Sequence, residues 1–437
     1  MKRSFLASAA VGLAVLAGAA VAVVVLRGAD TTTVGAVWTA DAEQIYGRDF
    51  AQFRSPVGGS EYDSDDLGVV EVDGTIVTLI GLPNPRSYQL DSAILVGIDS
   101  ATGDVRWKSP AEGLGGCAYE PVDGDIVCYS GLADIEPALI TYDAATGDSD
   151  RYPTAFGDTA FGMTVSDGRV FLIEGNAEDN DVRVHAGSVA DVDEGWARSF
   201  DVGDAWESVP PQPIQVSGEL GIVPMGFGSV VFDVSDGREL WSGAYPECFT
   251  PPELRGDTAL VTETDCDTGD TTAVRSVTRA GTTLIADSGS TVSQSRSGPD
   301  APIVIGTTAY DSGGGTLFTS ALLSQVVAST SETIVVQDSA GSTSQTVGLD
   351  ARTGEEKWRS DNGGLYSGII ELDGSSALSV DGLSVEAIDL GSGDVVWTAP
   401  LETNSGTGAG VSSVWPVESG VVVNSGQTMT IVPRPVG

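Results

Sequence analysis

Basic residues are scarce in this chain: 21 Lys and Arg, of which only Lys2, Lys108 and Lys357 are lysines, stand against 62 Asp and Glu in 437 residues. The formal net charge of −41 excludes nucleic acid as a partner, because phosphate binding needs clustered cations. Histidine occurs once, at His185, so neither a Ser-His-Asp set nor an HExxH metal helix can be assembled. Its setting in a strand-like segment places His185 on a strand surface. Cysteine occurs four times without a CxxC, and one histidine cannot complete a zinc knuckle. Glycine loops of the phosphate-binding type and the GxSxG elbow are missing too. At 41% hydrophobic residues the chain still has enough apolar surface to bury a large core, which rules out global disorder.

Only one long apolar run exists, Phe5 to Leu26, preceded by Lys2 and Arg3. Twenty-two residues in a helix span roughly 33 Å, the thickness of a bilayer core. The run is longer than the apolar part of a cleaved signal, so residues 1–27 are expected to be a signal anchor with a transmembrane helix over 5–26 and a short linker over 28–33. Lys2 and Arg3 then keep the amino end in the cytoplasm and place the rest outside. Cleavage near Ala20-Val21-Ala22 is the alternative and would give a secreted protein. Cysteine usage agrees with export, since Cys117 with Cys128 and Cys248 with Cys266 form two local pairs in successive strand-like segments.

The strongest signal is a repeat. An Asp is followed four residues later by a Gly at Asp99/Gly103, Asp143/Gly147, Asp191/Gly195, Asp233/Gly237, Asp350/Gly354 and Asp389/Gly393, and four of these add a Trp eight residues after the Asp, at Trp107, Trp241, Trp358 and Trp397. Asp can bond the backbone just after itself and Gly supplies a left-handed φ, so each motif reads as a tight connection between antiparallel strands. A requirement at every repeat marks these residues as structural rather than catalytic. Upstream of each lie alternating segments such as VVEVDG and TIVTLI. Four short strands per period and no convincing helix are the signature of an all-β propeller built of four-stranded antiparallel blades.

The D-x-x-T-G-x-x-x-W core resembles the PQQ-repeat, or quinoprotein-like, propellers over residues 34–437. That resemblance implies an eight-bladed ring. It also implies one of two functions: a quinoprotein alcohol dehydrogenase, or a non-catalytic propeller of the kind found in envelope assembly. Val37-Trp38-Thr39-Ala40 repeats Val396-Trp397-Thr398-Ala399, with no strands before it and three unmatched strands at the carboxyl end. Residues 34–40 are therefore expected to complete the last blade and remove a sheet edge. Six motifs, a degenerate turn at Gly281 and the closing blade make eight. Residues 286–325 fit no complete blade and are expected to be an insertion or a degenerate blade; Asp311 with Gly315 mimics the turn well enough to keep a nine-bladed ring open.

A quinoprotein enzyme of this family implies a divalent cation, a carboxylate base, a stacking Trp and often a disulfide between adjacent cysteines, and no adjacent pair exists here. Trp196, Trp206 and Trp415 are the aromatics left over from the repeat. Asp265, Asp267 and Asp270 are the weak candidate Ca²⁺ ligands, set beside a Gly but lacking the closing Glu of a calcium loop. Clusters at Glu61–Asp66 and Glu178–Asp181 read as solvated loop tips. The expectation is a membrane-anchored, extracytoplasmic, non-catalytic module that binds an envelope protein or a cell-surface ligand, with no catalytic residues and no cofactor. PQQ with Ca²⁺ and dehydrogenase activity form the alternative.

Overall fold

The computed structural model describes residues 32–60, 68–87, 89–131, 136–154, 159–176, 181–202, 212–225, 228–244, 251–265, 267–268, 270–287, 292, 296–298, 300–339, 345–360, 369–373, 375–380, 384–401 and 413–434. These residues form nine sheets, each with an antiparallel blade at its centre. In chain order, blade 1 holds Gln52–Arg54 and Val70–Val72 on one edge, then Thr75–Pro83, Leu90–Asp99 and Val105–Pro110. Blade 2 holds Leu114–Cys117, Asp125–Ser130, Ala138–Asp143 and Ser149–Pro153. Blade 3 holds Thr159–Ser166, Arg169–Asn176, Asp181–Gly187 and Trp196–Asp201. Blade 4 is Gln215–Ser217, Leu220–Met225, Gly228–Asp233 and Glu239–Ala244; blade 5 is Glu253–Arg255, Thr258–Thr264, Thr271–Thr278 and Gly281–Asp287; blade 6 is Ile303–Ile305, Thr308–Tyr310 and Thr316–Thr319. Blade 7 comprises Val326–Ser329, Thr333–Asp338, Gln345–Asp350 and Glu356–Ser360, and blade 8 comprises Ile369–Asp373, Ser376–Val380, Ser384–Asp389 and Val395–Pro400. Blade 9 takes Ser413–Val417, Gly420–Asn424 and Thr428–Val432 from the carboxyl end and Trp38–Asp41 from the amino end.

The core is divided between the blades. Each of nine apolar clusters joins one blade to the next, so the ring closes on itself. Leu79 and Trp107 meet Leu114 and Ile126 between blades 1 and 2. At the closure, Met429 and Ile431 of blade 9 meet Phe53 and Ile80 of blade 1. Burial on both faces explains why the middle strands, such as Leu220–Met225, are buried along their whole length.

The repeat motif makes the blade-to-blade joint. The Asp carboxylate accepts the N–H groups two and three residues on, at 3.0 and 2.9 Å for Asp99 and at 3.0 and 2.8 Å for Asp350. The Trp then reaches the following blade. Its indole N–H donates to the carbonyl just after that blade's motif Asp, from Trp38 to Ser100, Trp107 to Ala144, Trp196 to Val234 and Trp358 to Leu390, at 2.8 to 3.0 Å. Its ring lies over that blade's motif Gly. At Gly103, with φ of 77°, a Cβ would come within 2.7 Å of the Trp38 ring, so both the backbone and the packing require glycine.

Two expectations are corrected here. The ring has nine blades, not eight, because residues 303–319 form a sheet of their own instead of an insertion. Ile303 and Ile305 pack on Leu260 and Val274 of blade 5, while Val304 and Ala309 pack on Ile334 and Val336 of blade 7. Asp311 forms the motif turn, accepting from Gly313 and Gly315 at 3.0 and 2.7 Å, and Phe318 takes the place of the Trp against Gly354. The second correction concerns the helix. No helix among the described residues is long and apolar enough to cross a membrane, and the run 5–26 lies outside them.

Trp38–Asp41 pairs antiparallel with Thr428–Val432, Trp38 facing Ile431, as the outermost strand of blade 9. Ahead of it, Thr32–Thr33 adds in parallel to Val395–Pro400 of blade 8, so residues 32–41 lie along the rim of two blades. The helix Ala42–Tyr46, capped by the Asp41 carboxylate on the Gln44 N–H, then carries the chain inward to blade 1.

Candidate binding cavity in the central channel

The first strands of successive blades gather around the axis. A ring of nine leaves a wide hole, and the chain fills part of it twice. Residues 55–60 lie along the inner strand of blade 2, with the Cys117 N–H donating to the Pro56 carbonyl at 3.0 Å and the Ser60 N–H to the Leu114 carbonyl at 2.9 Å. The contact needs the glycines opposite it. A Cβ on Gly116 would sit 2.3 Å from the Val57 carbonyl oxygen, and one on Gly59 2.5 Å from Gly115. On the other side, Arg296–Ser297 adds in parallel to the inner strand of blade 7, and the Gly298 N–H donates to the Ser329 carbonyl at 2.9 Å.

Between these fillings remains a cavity of about 240 Å³ bounded by the inner strands of blades 2 to 5: Cys117, Met163, Thr164, Gln215, Val216, Ser217 and Leu254, with Val57, Tyr119, Gln212 and Ile214 completing the wall. Among the described residues, no wall residue is charged. Tyr119 is stacked on Trp415 of the blade 9 inner strand, ring centroids 5.4 Å apart, so two aromatics bridge the channel past blade 1. Trp415 is thus the one leftover Trp found at the channel; Trp196 is a blade joint, and Trp206 lies outside the described residues.

The implied cofactor does not fit this wall. A quinone tricarboxylate with a divalent cation needs cationic and carboxylate partners, and the wall offers amides, hydroxyls, a thioether and hydrocarbon.

Cys117 and Cys128 face each other on adjacent strands of blade 2 and form a disulfide that joins the channel strand to its neighbour. Cys248 and Cys266 lie outside the described residues. Asp265 makes a motif-type turn, its carboxylate taking the Asp267 and Thr268 N–H groups at 2.9 and 3.0 Å, and these bonds hold its pKa below the ordinary carboxylate value. Asp267 and Asp270 are exposed beside it. The turn thus occupies one oxygen of the weak Ca²⁺ candidate, and among the described residues no cluster of three ligand side chains occurs. The other motif residues, Asp143 with Gly147, Asp191 with Gly195, Asp233 with Gly237, Trp241, and Asp389 with Gly393 and Trp397, lie at turns or in fourth strands rather than at the cavity.

His185 is not on the surface. It is buried in the middle of blade 3, where Nε2 meets Glu174 Oε1 at 3.0 Å and Nδ1 meets Asp193 Oδ1 at 2.6 Å, while Arg183 lies 3.5 Å from Glu174. Burial pulls the imidazole pKa down, but hydrogen bonding and charge from the two carboxylates outweigh it and raise the value. Sequence reasoning saw neither this network nor the cavity wall. The Gly59 and Gly115-Gly116 positions, small where two backbones touch, were the only local trace of the channel filling.

A family model described as outer membrane protein assembly factor BamB matches residues 91–310 and 306–432. No curated protein matches the chain. Among solved structures, BamB from Moraxella catarrhalis is similar at 13% identity over 86% of this chain and 98% of that one, with a TM-score of 0.44. A quinohemoprotein alcohol dehydrogenase from Pseudomonas putida HK5 is similar at 13% identity, covering 81% and 68% at a TM-score of 0.40. The computationally designed protein Ika8 aligns at 12% identity over 87% and 99%, with a TM-score of 0.45. With most of its length matched by the family model and its motif repeated around the ring, the chain belongs to the PQQ-repeat β-propeller family that includes BamB.

Proposed function

We propose that this protein is a non-catalytic scaffold that works outside the cytoplasm and that it binds an envelope protein. The observation that carries the reading is the channel, which the chain fills with its own backbone at blades 2 and 7 and whose remaining cavity has an uncharged wall. Such a wall suits peptide groups better than an ionic cofactor. The family description, an assembly factor, supports a protein as the partner. The buried disulfide of blade 2 supports an oxidising compartment.

Two measurements test this. Full-length protein incubated with PQQ and Ca²⁺ should show no quinone absorbance and no dye-linked alcohol oxidation; turnover would overturn the scaffold reading in favour of the dehydrogenase. A photo-crosslinking residue at Gln212, on the cavity wall, should yield a discrete adduct with one envelope protein in living cells, while one at Val37 on the outer rim should not.

A further inference from the structure

The inner edge of blade 4 presents a backbone pair to the cavity. Ser217 and Leu220 close a two-residue hairpin, and Gln215 with Ile222 is the next pair of the same kind, so the peptide groups of Gln215 and Ser217 face the neighbouring strand. Val216 lies between them, and its N–H and C=O point the opposite way, to the channel. Among the described residues no backbone bond reaches either group. At blades 2 and 7 the equivalent edge is covered by an extended piece of the chain itself, residues 55–60 and 296–298. Among the described residues, blade 4 is thus an inner edge of the same geometry, beside a cavity and without such a cover.

We propose that this edge binds a short extended peptide segment of the partner protein, added as a strand to Gln215–Ser217; the inference rests on the scaffold reading above. The wall defines the segment. Gln212 and Gln215 amides and Thr164 and Ser217 hydroxyls can meet main-chain groups, and Val57, Met163, Ile214 and Leu254 leave room for small apolar side chains. With no cation on the wall among the described residues and a net charge of −41, acidic residues are disfavoured. A segment of alternating Thr and Val satisfies each of these conditions.

The test uses full-length protein in detergent and the capped peptide Ac-Thr-Val-Thr-Val-Thr-NH2. Hydrogen exchange should slow across residues 212–217 on adding the peptide. Val216→Pro removes the one channel-facing N–H without touching the ladder to Leu220–Met225, and should weaken binding about tenfold. The same peptide N-methylated at alternate residues should lose binding to the unmodified protein, a readout that needs no variant to fold. Ac-Glu-Val-Glu-Val-Glu-NH2 should bind at least about tenfold more weakly. Equal binding of the N-methylated peptide, or unchanged exchange at 212–217, would overturn the inference. If the Gln212 adduct forms in cells while the peptide fails, the channel edge is wrong and the scaffold reading stands; if both fail, both are wrong.

Discussion

Replacing Trp38 by Ala tests how the ring is held shut. The side chain is about nine-tenths buried, donates its indole N–H to the Ser100 carbonyl at 2.9 Å, and covers Gly103 of the neighbouring blade. Truncating a buried Trp costs about 3–5 kcal/mol, a large part of the roughly 5–15 kcal/mol that stabilises a typical fold. Trp38→Phe keeps most of the ring contact and removes only the N–H donor, so it should cost about 1 kcal/mol more than the packing change alone. Val37→Ala is the control. Val37 is 48% exposed just before the same strand, and its truncation should stay within about 0.5 kcal/mol. Gly103→Ala adds a second axis, because it places a Cβ 2.7 Å from the Trp38 ring at a φ of 77°. In the Trp38→Ala background the ring clash disappears, leaving the retained Cβ of residue 38 at 3.0 Å and the backbone strain of about 1–2 kcal/mol, so the two changes should be strongly coupled. Guanidinium unfolding followed by circular dichroism gives all five midpoints. If Trp38→Ala unfolds with Val37→Ala, the Trp is not a blade joint and the account of ring closure fails.

Cys117 and Cys128 enclose an 11-residue separation, so the double change to Ser should lower stability by roughly 2–3 kcal/mol in the chain-entropy estimate, and non-reducing peptide mapping should recover the bonded pair. For His185, the raised pKa means that its stabilisation is fully present below the ordinary value of 6.5 and is lost as pH climbs through the higher folded value. Unfolding midpoints measured against pH should therefore fall on the alkaline side in the wild type and lose that step in His185→Gln. Asp99 is held at about 2, first by the Arg106 guanidinium and then by the Thr102 amide, so its contribution is present above 3.8 and fades as pH drops toward 2. Arg106→Gln should move the Asp99 titration, followed by carboxyl NMR, back toward 3.8.

How much was legible follows from how local each signal is. The turn Asp, the motif Gly and the Trp sit within nine residues of one another and contact a fixed place in the next blade, so a linear pattern records them. The shared Val-Trp-Thr-Ala stretch recorded the Trp38 contact in the same way, although the strand is Trp38–Asp41 rather than 34–40. The cavity wall was not legible. Thr164, Val216 and Leu254 come from blades separated by dozens of residues, and what they share is a backbone edge, which no side-chain pattern encodes. His185 failed for a related reason: a lone histidine in an acidic chain looks solvated until its two carboxylates, 11 and 8 residues away, are seen to enclose it.

Blade 6, which brings the ring from eight blades to nine, shows what a repeat motif measures. The pattern seeks Trp, but the joint needs only a flat ring over the next blade's Gly, with a hydrogen bond as a further gain. Phe318 supplies the ring over Gly354 and gives up the bond, so the joint survives where the motif is broken. Blade 6 is also short, with three strands among the described residues and Val292 bridging Ile305 where a first strand would run. Its two faces nevertheless carry full apolar contacts, to blade 5 through Ile303 and Ile305 and to blade 7 through Val304 and Ala309. Those contacts, not the motif, decide membership of the ring, because a blade is retained when both of its faces are covered. Adding a blade widens the channel, and the widened channel is where residues 55–60 and 296–298 lie. Blade number and channel filling thus go together, and among the described residues the edge at Val216 is one part of that channel left uncovered.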